Sequence, residues 1–280
     1  MRFKKVRLWK AISLLGIMSG FMVSCKTVSP EWICYYGDDA LTATALGNVK
    51  LVVLDDQTKV DVPKIRRSVE HVLGYLSIGE VDTEREYFSE LPDTSFLLEY
   101  NPNWVKSRIV DIRSEKWQEW LLNVRIPQIL RRGFNGLFLD TMDSVIYMEQ
   151  INPERKGMVE ASIRLVQRIK QQFPEIYIMV NRGVEAAPQY GPYVDAILAE
   201  SFFADYNFTD KTYELRPLED AEEYVGILTT VKNDHGVALF GLDYWYPDDK
   251  KNIRLIYEIQ KQHGFIPYVA TVELDQIVYP

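Results

Sequence analysis

The sequence predicts an α/β protein that forms a single (β/α)8 TIM barrel, possibly with one extra short strand. Three observations favour this fold class. Eight short apolar runs recur along the chain, amphipathic segments separate them, and the length of 280 residues suits one barrel of about 250 residues. A doubly wound open sheet is the alternative that the same alternation allows.

The eight runs are apolar almost without interruption, which is typical of parallel strands buried on both faces. Residues 109–112 form a weaker ninth run, for which we expect an added edge strand. The eight runs are residues 33–36, 51–54, 72–78, 136–139, 176–180, 196–199, 237–242 and 265–269.

The segments between the runs carry helix signals. Residues 158–173 place apolar side chains at a 3.6-residue period, and Pro174 ends the segment. Ser114 can cap a helix that carries Trp117, Trp120, Leu121 and Val124 on one side, and Pro127 is expected to kink or divide that helix.

The N-terminus has the features of a secretion signal. Residues 1–24 hold five basic residues and no acidic one, and residues 11–24 are uncharged. This uncharged stretch is shorter than the ~20 residues needed to cross a bilayer. It ends in Met-Val-Ser-Cys, which resembles the bacterial lipobox, in which the cysteine is lipidated. A plain signal peptide before an unmodified cysteine is the alternative.

We therefore expect a lipoprotein signal peptide over residues 1–24, a tether over 25–31 and the barrel over 32–280. Lipidation at Cys25 would make the protein an exported bacterial lipoprotein, anchored to a membrane on its periplasmic or cell-surface side. Loss of the five positive charges of residues 1–24 would take the net charge from −8 to −13.

Composition argues against several classes of partner. The chain has 40 acidic and 32 basic residues, whereas proteins that bind nucleic acid present basic faces. Three histidines and two cysteines are too few for a convincing zinc or iron–sulfur site. We expect no nucleic acid, no metal and no other cofactor.

Polar residues follow the predicted strands at their carboxyl ends, where the active sites of barrels lie. Nearly every strand ends in a carboxylate or a carboxamide. No strand end offers a Ser, Cys or His nucleophile beside a base. The polar strand-end residues include Tyr36, Asp38, Asp55, Glu80, Asp140, Asp143, Asn181, Glu200, Asp243 and Tyr244.

A ring of carboxylates suits either binding of a hard cation or hydrolysis of glycosides. Hydrolysis needs one carboxyl group to donate a proton and another to act as nucleophile or base. Asp140 and Glu200 are the natural candidates, although Asp140 could instead cap a helix and Glu200 could form a buried salt bridge. Sugars also pack on flat apolar platforms with hydroxyl-bonding neighbours, and aromatic residues cluster at the proposed mouth, among them Tyr36, Tyr75, Phe202 and Tyr244.

At these residues the sequence resembles glycoside hydrolase family 114, the endo-α-1,4-polygalactosaminidase family, over nearly the whole mature chain. The combination of LSIGE, GFxGxFLDxxD and a strand ending in ES carries most of the resemblance. The matching stretches are YYGDD (35–39), LVVLDD (51–56), LGYLSIGEVDTEREYF (73–88), VDIRSEKWQEWL (110–121), RRGFNGLFLDTMDSV (131–145), VNRG (180–183), AILAESFF (196–203) and GLDYWY (241–246).

The resemblance implies a (β/α)8 barrel with catalytic acids at Asp140 and Glu200, and with Asp143 binding substrate or supporting Asp140. Family members often read LDN where this chain has Leu139-Asp140-Thr141. The expected activity is cleavage of internal α-linked bonds in an amino-sugar (galactosamine-type) polysaccharide.

In that mechanism Glu200 acts as general acid, and Asp140, held by Asn181, is nucleophile or base. Glu80, Asp38, Asp55 and Asp243 are expected to line the subsites. Three alternatives stay open: a non-catalytic carbohydrate-binding lipoprotein, a Mg²⁺- or Ca²⁺-dependent enzyme with Asp140, Asp143 and Glu200 as ligands, and a generic α/β lipoprotein scaffold.

Overall fold

A computed structural model of the protein describes residues 29–37, 41, 43–102 and 104–280. Cys25 and Asp38 lie outside these residues. The strands in chain order are β1 (Trp32–Tyr35), β2 (Leu51–Leu54), β3 (His71–Ser77), β4 (Glu80–Asp82), β5 (Leu97–Tyr100), β6 (Ser107–Val110), β7 (Gly136–Asp140), β8 (Tyr177–Asn181), β9 (Ala196–Glu200), β10 (Ala204–Asn207), β11 (Thr212–Leu215), β12 (Ala238–Tyr244) and β13 (Ile266–Ala270).

Eight of these strands form one parallel sheet in the order β1-β2-β3-β7-β8-β9-β12-β13. The two ends of the sheet meet, because Trp32 Nε1 on β1 donates to the carbonyl of Ile266 on β13 at 3.0 Å. The Trp32 ring also packs edge-on against Tyr268, with 5.5 Å between centroids. The predicted (β/α)8 barrel is confirmed, and each of the eight apolar runs coincides with one barrel strand to within two residues.

The helices between the strands cover the barrel. Those of the described residues are α1 (Ala43–Leu46), α2 (Val62–Ile65), α3 (Glu115–Trp120), α4 (Ile126–Arg131), α5 (Met142–Ile151), α6 (Met158–Gln172), α7 (Ala187–Tyr190), α8 (Glu222–His235) and α9 (Lys250–Gln262). None of these helices has the length and apolar character needed to span a membrane.

Two of the predicted helix features are present. The apolar stripe of α6 is buried against the barrel at Met158, Leu165 and Ile169, among others. A π-helical turn over Leu121–Arg125 separates α3 from α4, and Pro127 lies in the first turn of α4. A proline ring clashes with the carbonyl four residues earlier in a regular α-helix, so the wider turn accommodates Pro127 where the sequence predicts a kink or division.

The weak ninth run does not add an edge strand to the eight-stranded sheet. It corresponds to β6, which pairs antiparallel with β4 and β5. We call residues 80–110, which follow β3 and carry this small sheet, the β3 excursion.

A second addition, which the sequence analysis missed, is the antiparallel pair β10–β11. We call residues 204–215 the β9 hairpin, because they follow β9. Both additions leave the barrel at the carboxyl ends of its strands, so they build walls around the mouth where an active site is expected.

Candidate active site

A cavity of about 640 Å³ opens at the carboxyl ends of the barrel strands. Barrel residues form its floor, and the β3 excursion and the β9 hairpin supply much of its wall. The lining includes Cys34, Tyr36, Tyr75, Glu80, Asp82, Arg85, Trp104, Asp140, Asp143, Asn181, Arg182, Glu200, Asp205, Tyr206, Phe208 and Tyr244.

Three consecutive barrel strands, β7, β8 and β9, end in a polar residue that lines this cavity. In each case the next residue has a positive φ, in the left-handed region that non-glycine residues seldom adopt. The three pairs are Asp140–Thr141 (φ 69°), Asn181–Arg182 (φ 56°) and Glu200–Ser201 (φ 58°).

Asn181 joins the two predicted catalytic acids. Its Nδ2 donates to Asp140 Oδ1 at 2.9 Å and to Glu200 Oε2 at 2.6 Å. Two oxygens bonded to the same nitrogen cannot lie further apart than the sum of these distances, about 5.5 Å. The fold therefore brings residues 60 positions apart in the sequence across a gap the size of one glycosidic linkage.

Tyrosine hydroxyls hold the other oxygen of each acid. Tyr75 donates to Asp140 Oδ2 at 2.8 Å, and Tyr244 donates to Glu200 Oε1 through a short hydrogen bond. Burial and the neighbouring carboxylates raise the pKa of both tyrosines well above the usual value. Both hydroxyls therefore stay protonated and remain donors.

Tyr36, another predicted site residue, forms part of the cavity floor. Its ring meets Tyr75 edge-to-face, with 5.9 Å between centroids. Its hydroxyl is hydrogen-bonded with the Cys34 thiol, and burial raises the pKa of both groups. Cys34 is thus a neutral part of the floor and not a thiolate nucleophile.

Thr141 fixes the backbone beside Asp140. Its hydroxyl accepts from the Gly79 N–H at 2.8 Å, lies 2.9 Å from Ser77 Oγ and donates to the Asp140 carbonyl at 2.5 Å. A Cβ at position 79 would come within 2.7 Å of the Thr141 carbonyl oxygen. The close approach of these two strand ends therefore requires glycine at position 79.

Glu80 lines the cavity and also ties the β3 excursion to α5. Its carboxylate accepts from Asn101 Nδ2 at 2.9 Å and from the hydroxyls of Ser107 and Ser144, each at 2.6 Å. Asn101 and Ser107 belong to the excursion, and Ser144 lies in α5. Glu80 is thus a buried acid held by neutral donors at the edge of the cavity.

Asp143 forms an ion pair across the rim, with 3.3 Å between its Oδ2 and Arg182 Nε. Loss of hydration raises the pKa of Asp143 to about 6, with further contributions from the charges of Asp140 and Glu200, while Arg182 opposes the shift. The charges of Asp140 and Glu200 therefore affect the protonation of Asp143.

Three predicted substrate contacts are not among the residues that line the cavity: Asp55, Phe202 and Asp243. Asp55 holds Arg85 through both carboxylate oxygens, with N–O distances of 2.7 Å. The Phe202 ring packs instead against Tyr224, 6.0 Å away between centroids. The placement of these residues does not support direct contact with substrate.

The side chain of Asp243 does not line the cavity, because successive side chains of a strand point to opposite faces. Tyr244 points into the barrel mouth, so Asp243 points outwards. Its carboxylate accepts from the backbone N–H groups of Phe203 and Ala204, each at 2.9 Å, and from Gln260 Nε2 at 2.5 Å. Burial raises its pKa to about 6. Asp243 anchors the start of the β9 hairpin.

The cavity also contains residues that the sequence analysis missed. Arg85 and Arg182 are its cationic members, and Trp104, Tyr206 and Phe208 add aromatic rings from the two additions. Aromatic residues in otherwise polar loops are a signal that could have indicated a binding surface. Within the ranges that the structure describes, no group of three His, Cys, Asp or Glu side chains has the arrangement of a metal site.

Comparisons with known proteins place this geometry in a family. The family model described as glycoside-hydrolase family GH114 matches residues 23–279. An uncharacterized protein of Methanocaldococcus jannaschii is 22% identical over 256 residues, which cover 83% of this chain and 73% of that protein.

Two solved structures share the fold. The glycoside hydrolase domain of PelA from Pseudomonas aeruginosa matches with a TM-score of 0.76 and 24% identity, over 88% of this chain and 96% of that chain. Aspergillus fumigatus Ega3, solved in complex with galactosamine, matches with a TM-score of 0.64 and 17% identity, over 91% and 96%. The match over residues 23–279 establishes that the chain belongs to glycoside hydrolase family 114 and is a glycoside hydrolase.

Proposed function

We propose that this glycoside hydrolase cleaves internal α-linked bonds of a galactosamine-type polysaccharide with retention of anomeric configuration. The observation that carries the proposal is the shared amide of Asn181, which holds oxygens of Asp140 and Glu200 within about 5.5 Å of each other. Retaining glycosidases place their carboxyl groups about 5–5.5 Å apart, whereas inverting enzymes leave about 6.5–9.5 Å for a water molecule.

In the first step Asp140 attacks the anomeric carbon while Glu200 gives its proton to the leaving glycosidic oxygen. The glycosidic bond breaks, and an ester bond forms between Asp140 and the sugar. In the second step Glu200 takes a proton from water, the water oxygen bonds to the anomeric carbon, and Asp140 leaves as a carboxylate. Hydrogen bonds from Tyr75 and Asn181 to Asp140 stabilise the leaving carboxylate.

The assignment of roles rests on the reach of the two side chains. Donors from the barrel floor hold both oxygens of each acid, so the length of the side chain is what differs. Asp140 has the shorter side chain, which suits a nucleophile of fixed position. Glu200 has one more methylene, so it can reach the oxygen of the leaving group. An activated substrate whose leaving group needs no proton distinguishes the roles. Glu200→Gln should form the glycosyl-enzyme from it, and Asp140→Asn should not.

The electrostatics of the cavity favour a cationic sugar. Six acids and two arginines line it, and each arginine is paired with an aspartate, Arg85 with Asp55 and Arg182 with Asp143. The excess negative charge attracts ammonium groups, which free galactosamine residues carry. The galactosamine in the Ega3 complex is consistent with this class of ligand.

The test is a panel of polysaccharides with the products identified by mass spectrometry. We expect oligosaccharides from α-1,4-linked galactosamine polymers, less product when every amine is acetylated, and a loss of ~10²–10⁴-fold in turnover for Asp140→Asn and Glu200→Gln. Near-normal activity in either variant would contradict the assignment. Binding of the polymer without release of reducing ends would instead match the non-catalytic alternative.

The metal-dependent alternative has less support. The Asn181 Nδ2 group lies between Asp140 and Glu200 and donates to both, and an N–H donor repels a cation from the position between the two acids. Treatment with EDTA distinguishes the metal-independent glycosidase from the metal-dependent enzyme. We expect unchanged turnover, whereas loss of activity that Mg²⁺ or Ca²⁺ restores would favour the metal-dependent enzyme.

We further propose that the mature protein is an exported lipoprotein, anchored through a lipid on Cys25. The basic start, the short uncharged stretch and the Met-Val-Ser-Cys sequence support this proposal. Cell fractionation tests it. The wild-type protein should sediment with membranes, and Cys25→Ser should release the protein or leave its signal uncleaved. A wild-type protein that does not begin at Cys25, or that carries no lipid there by mass spectrometry, would overturn the anchor.

A further inference from the structure

An aromatic surface links the β3 excursion with the β9 hairpin at the rim of the cavity. Trp104 of the excursion meets Phe208 of the hairpin edge-to-face, with 5.7 Å between centroids and 81° between the ring planes. The surface continues from Phe208 to Tyr206 at 5.1 Å and from Tyr206 to Tyr213 at 4.9 Å.

Trp104 and Phe208 are 60% and 62% exposed, although both also line the cavity. Large aromatic side chains stabilise a fold mainly when they are buried. Trp104 and Phe208 are mostly exposed, so they contribute little to the stability of the fold. Exposed apolar surface of this kind often marks a site of binding.

The topology places this pair beside the catalytic centre. The excursion follows β3 and the hairpin follows β9, and in the sheet the strands between them are β7 and β8, which end in Asp140 and Asn181. The contact between Trp104 and Phe208 therefore joins the two segments that flank the catalytic strand ends. The donors that hold the catalytic carboxylates come from the barrel strands.

We propose that Trp104 and Phe208 form a remote subsite that stacks on a pyranose ring of the bound polymer, beyond the sugars at the scissile bond. This inference rests on the proposed function. The C–H groups of a pyranose face pack on aromatic rings. An ammonium group on the sugar adds a cation–π attraction when it lies within about 6 Å of a ring centroid.

A glycan fits this surface better than a lipid membrane. The aromatic pair is continuous with the cavity that holds Asp140 and Glu200, so a chain that leaves the catalytic centre meets it directly. Asp82 and Asp205 line the same cavity, and their charge opposes the approach of an anionic lipid surface. The same charge attracts the amines of the polymer.

A subsite away from the scissile bond contributes only when the substrate is long enough to reach it. The experiment compares kcat/KM on a long galactosamine polymer with kcat/KM on the shortest oligosaccharide that the wild type cleaves. Trp104→Ala and Phe208→Ala should each lower the value for the polymer about tenfold and change the value for the oligosaccharide less than twofold. Trp104→Phe, which keeps an aromatic face, should recover most of the loss.

Tyr147→Ala is the matched control, because Tyr147 is an exposed aromatic residue of α5 that is not among the cavity-lining residues. It should leave both values unchanged. Binding is measured separately in the Asp140→Asn background by titration with the polymer, where Trp104→Ala should weaken binding about tenfold.

The outcomes separate the two proposals. If the wild type cleaves the polymer but Trp104→Ala lowers both values equally, or neither, the subsite is overturned and the proposed function stands. If the wild type neither cleaves nor binds the polymer, the proposed function fails and the subsite fails with it.

Discussion

Asp140 and Glu200 lie so close together that one side-chain amide, that of Asn181, donates a hydrogen bond to each of them. The orientation of the amide is fixed, because the reversed amide would point its oxygen at the carboxylate of Asp140. Asn181 Oδ1 is buried and finds no donor among the described residues. The amide N–H groups of Asn181 thus serve to hold the two acids at a fixed spacing.

Asn181→Ala should therefore impair catalysis more than folding. Without the shared donor the two acids lose their fixed separation, and we expect kcat to fall about 100-fold or more. Asn123→Ala, at an exposed position of the outer helices, is the control and should retain full turnover. Steady-state kinetics and melting curves of both variants check this. A loss of melting temperature in step with activity would show a structural role only.

Thr141 offers a test of backbone positioning. Thr141→Val keeps the left-handed backbone of this residue but removes the hydroxyl that holds Gly79 and Ser77, so we expect a loss of about 2 kcal/mol in unfolding free energy and a lower kcat. Thr141→Ser should be tolerated, because serine keeps the hydroxyl that meets Gly79 and Ser77. Urea unfolding and turnover are measured for both variants. Equal behaviour would contradict the role of the hydroxyl.

Asp243 is expected to stabilise the fold without taking part in the reaction. Asp243→Ala leaves the N–H groups of Phe203 and Ala204 buried without an acceptor, which should lower the unfolding free energy by about 3 kcal/mol. Asp234→Ala, at an exposed helical position, should change it by less than about 0.5 kcal/mol. Chemical denaturation decides the question. Near-wild-type stability of Asp243→Ala combined with a large loss of kcat would instead indicate a catalytic role.

The raised pKa of Asp143 predicts that the stability of the protein depends on pH. Its pKa in the folded protein is about 6, above the ordinary value of 3.8, so the folded state binds its proton more tightly than the unfolded state. The contribution of this group to stability is greatest at low pH and falls as the pH rises from about 4 through 6. Between pH 5 and pH 7 the wild type should therefore lose more stability than Asp143→Asn. Melting curves at the two pH values measure the difference, and parallel changes in both proteins would contradict the raised pKa.

Much of the fold could be predicted because parallel strands buried on both faces leave a plain signal in the sequence. Each of the eight apolar runs is a barrel strand. Asp140, Asn181 and Glu200 could be predicted as neighbours because the carboxyl ends of parallel strands meet at one face.

The direction of individual side chains and the contact between the two additions could not be predicted from polar residues at strand ends. Asp243 and Tyr244 are adjacent in the sequence but point to opposite faces of β12 because of the alternation of side chains. Phe202 follows Glu200 by two residues, beyond the left-handed turn at Ser201, and packs away from the cavity. Trp104 and Phe208 meet only because two short antiparallel additions, which carry no strong periodicity, approach each other in space.

The most direct test of the account is the configuration of the first product. Proton NMR during hydrolysis of an α-linked galactosamine oligosaccharide follows the anomeric signals before mutarotation mixes them. Since Asn181 holds oxygens of Asp140 and Glu200 within about 5.5 Å of each other, as retaining glycosidases do, we predict that the α-anomer forms first and the β-anomer follows only by mutarotation. Initial release of the β-anomer would contradict the two-step mechanism, and the absence of any cleavage would contradict the proposed substrate.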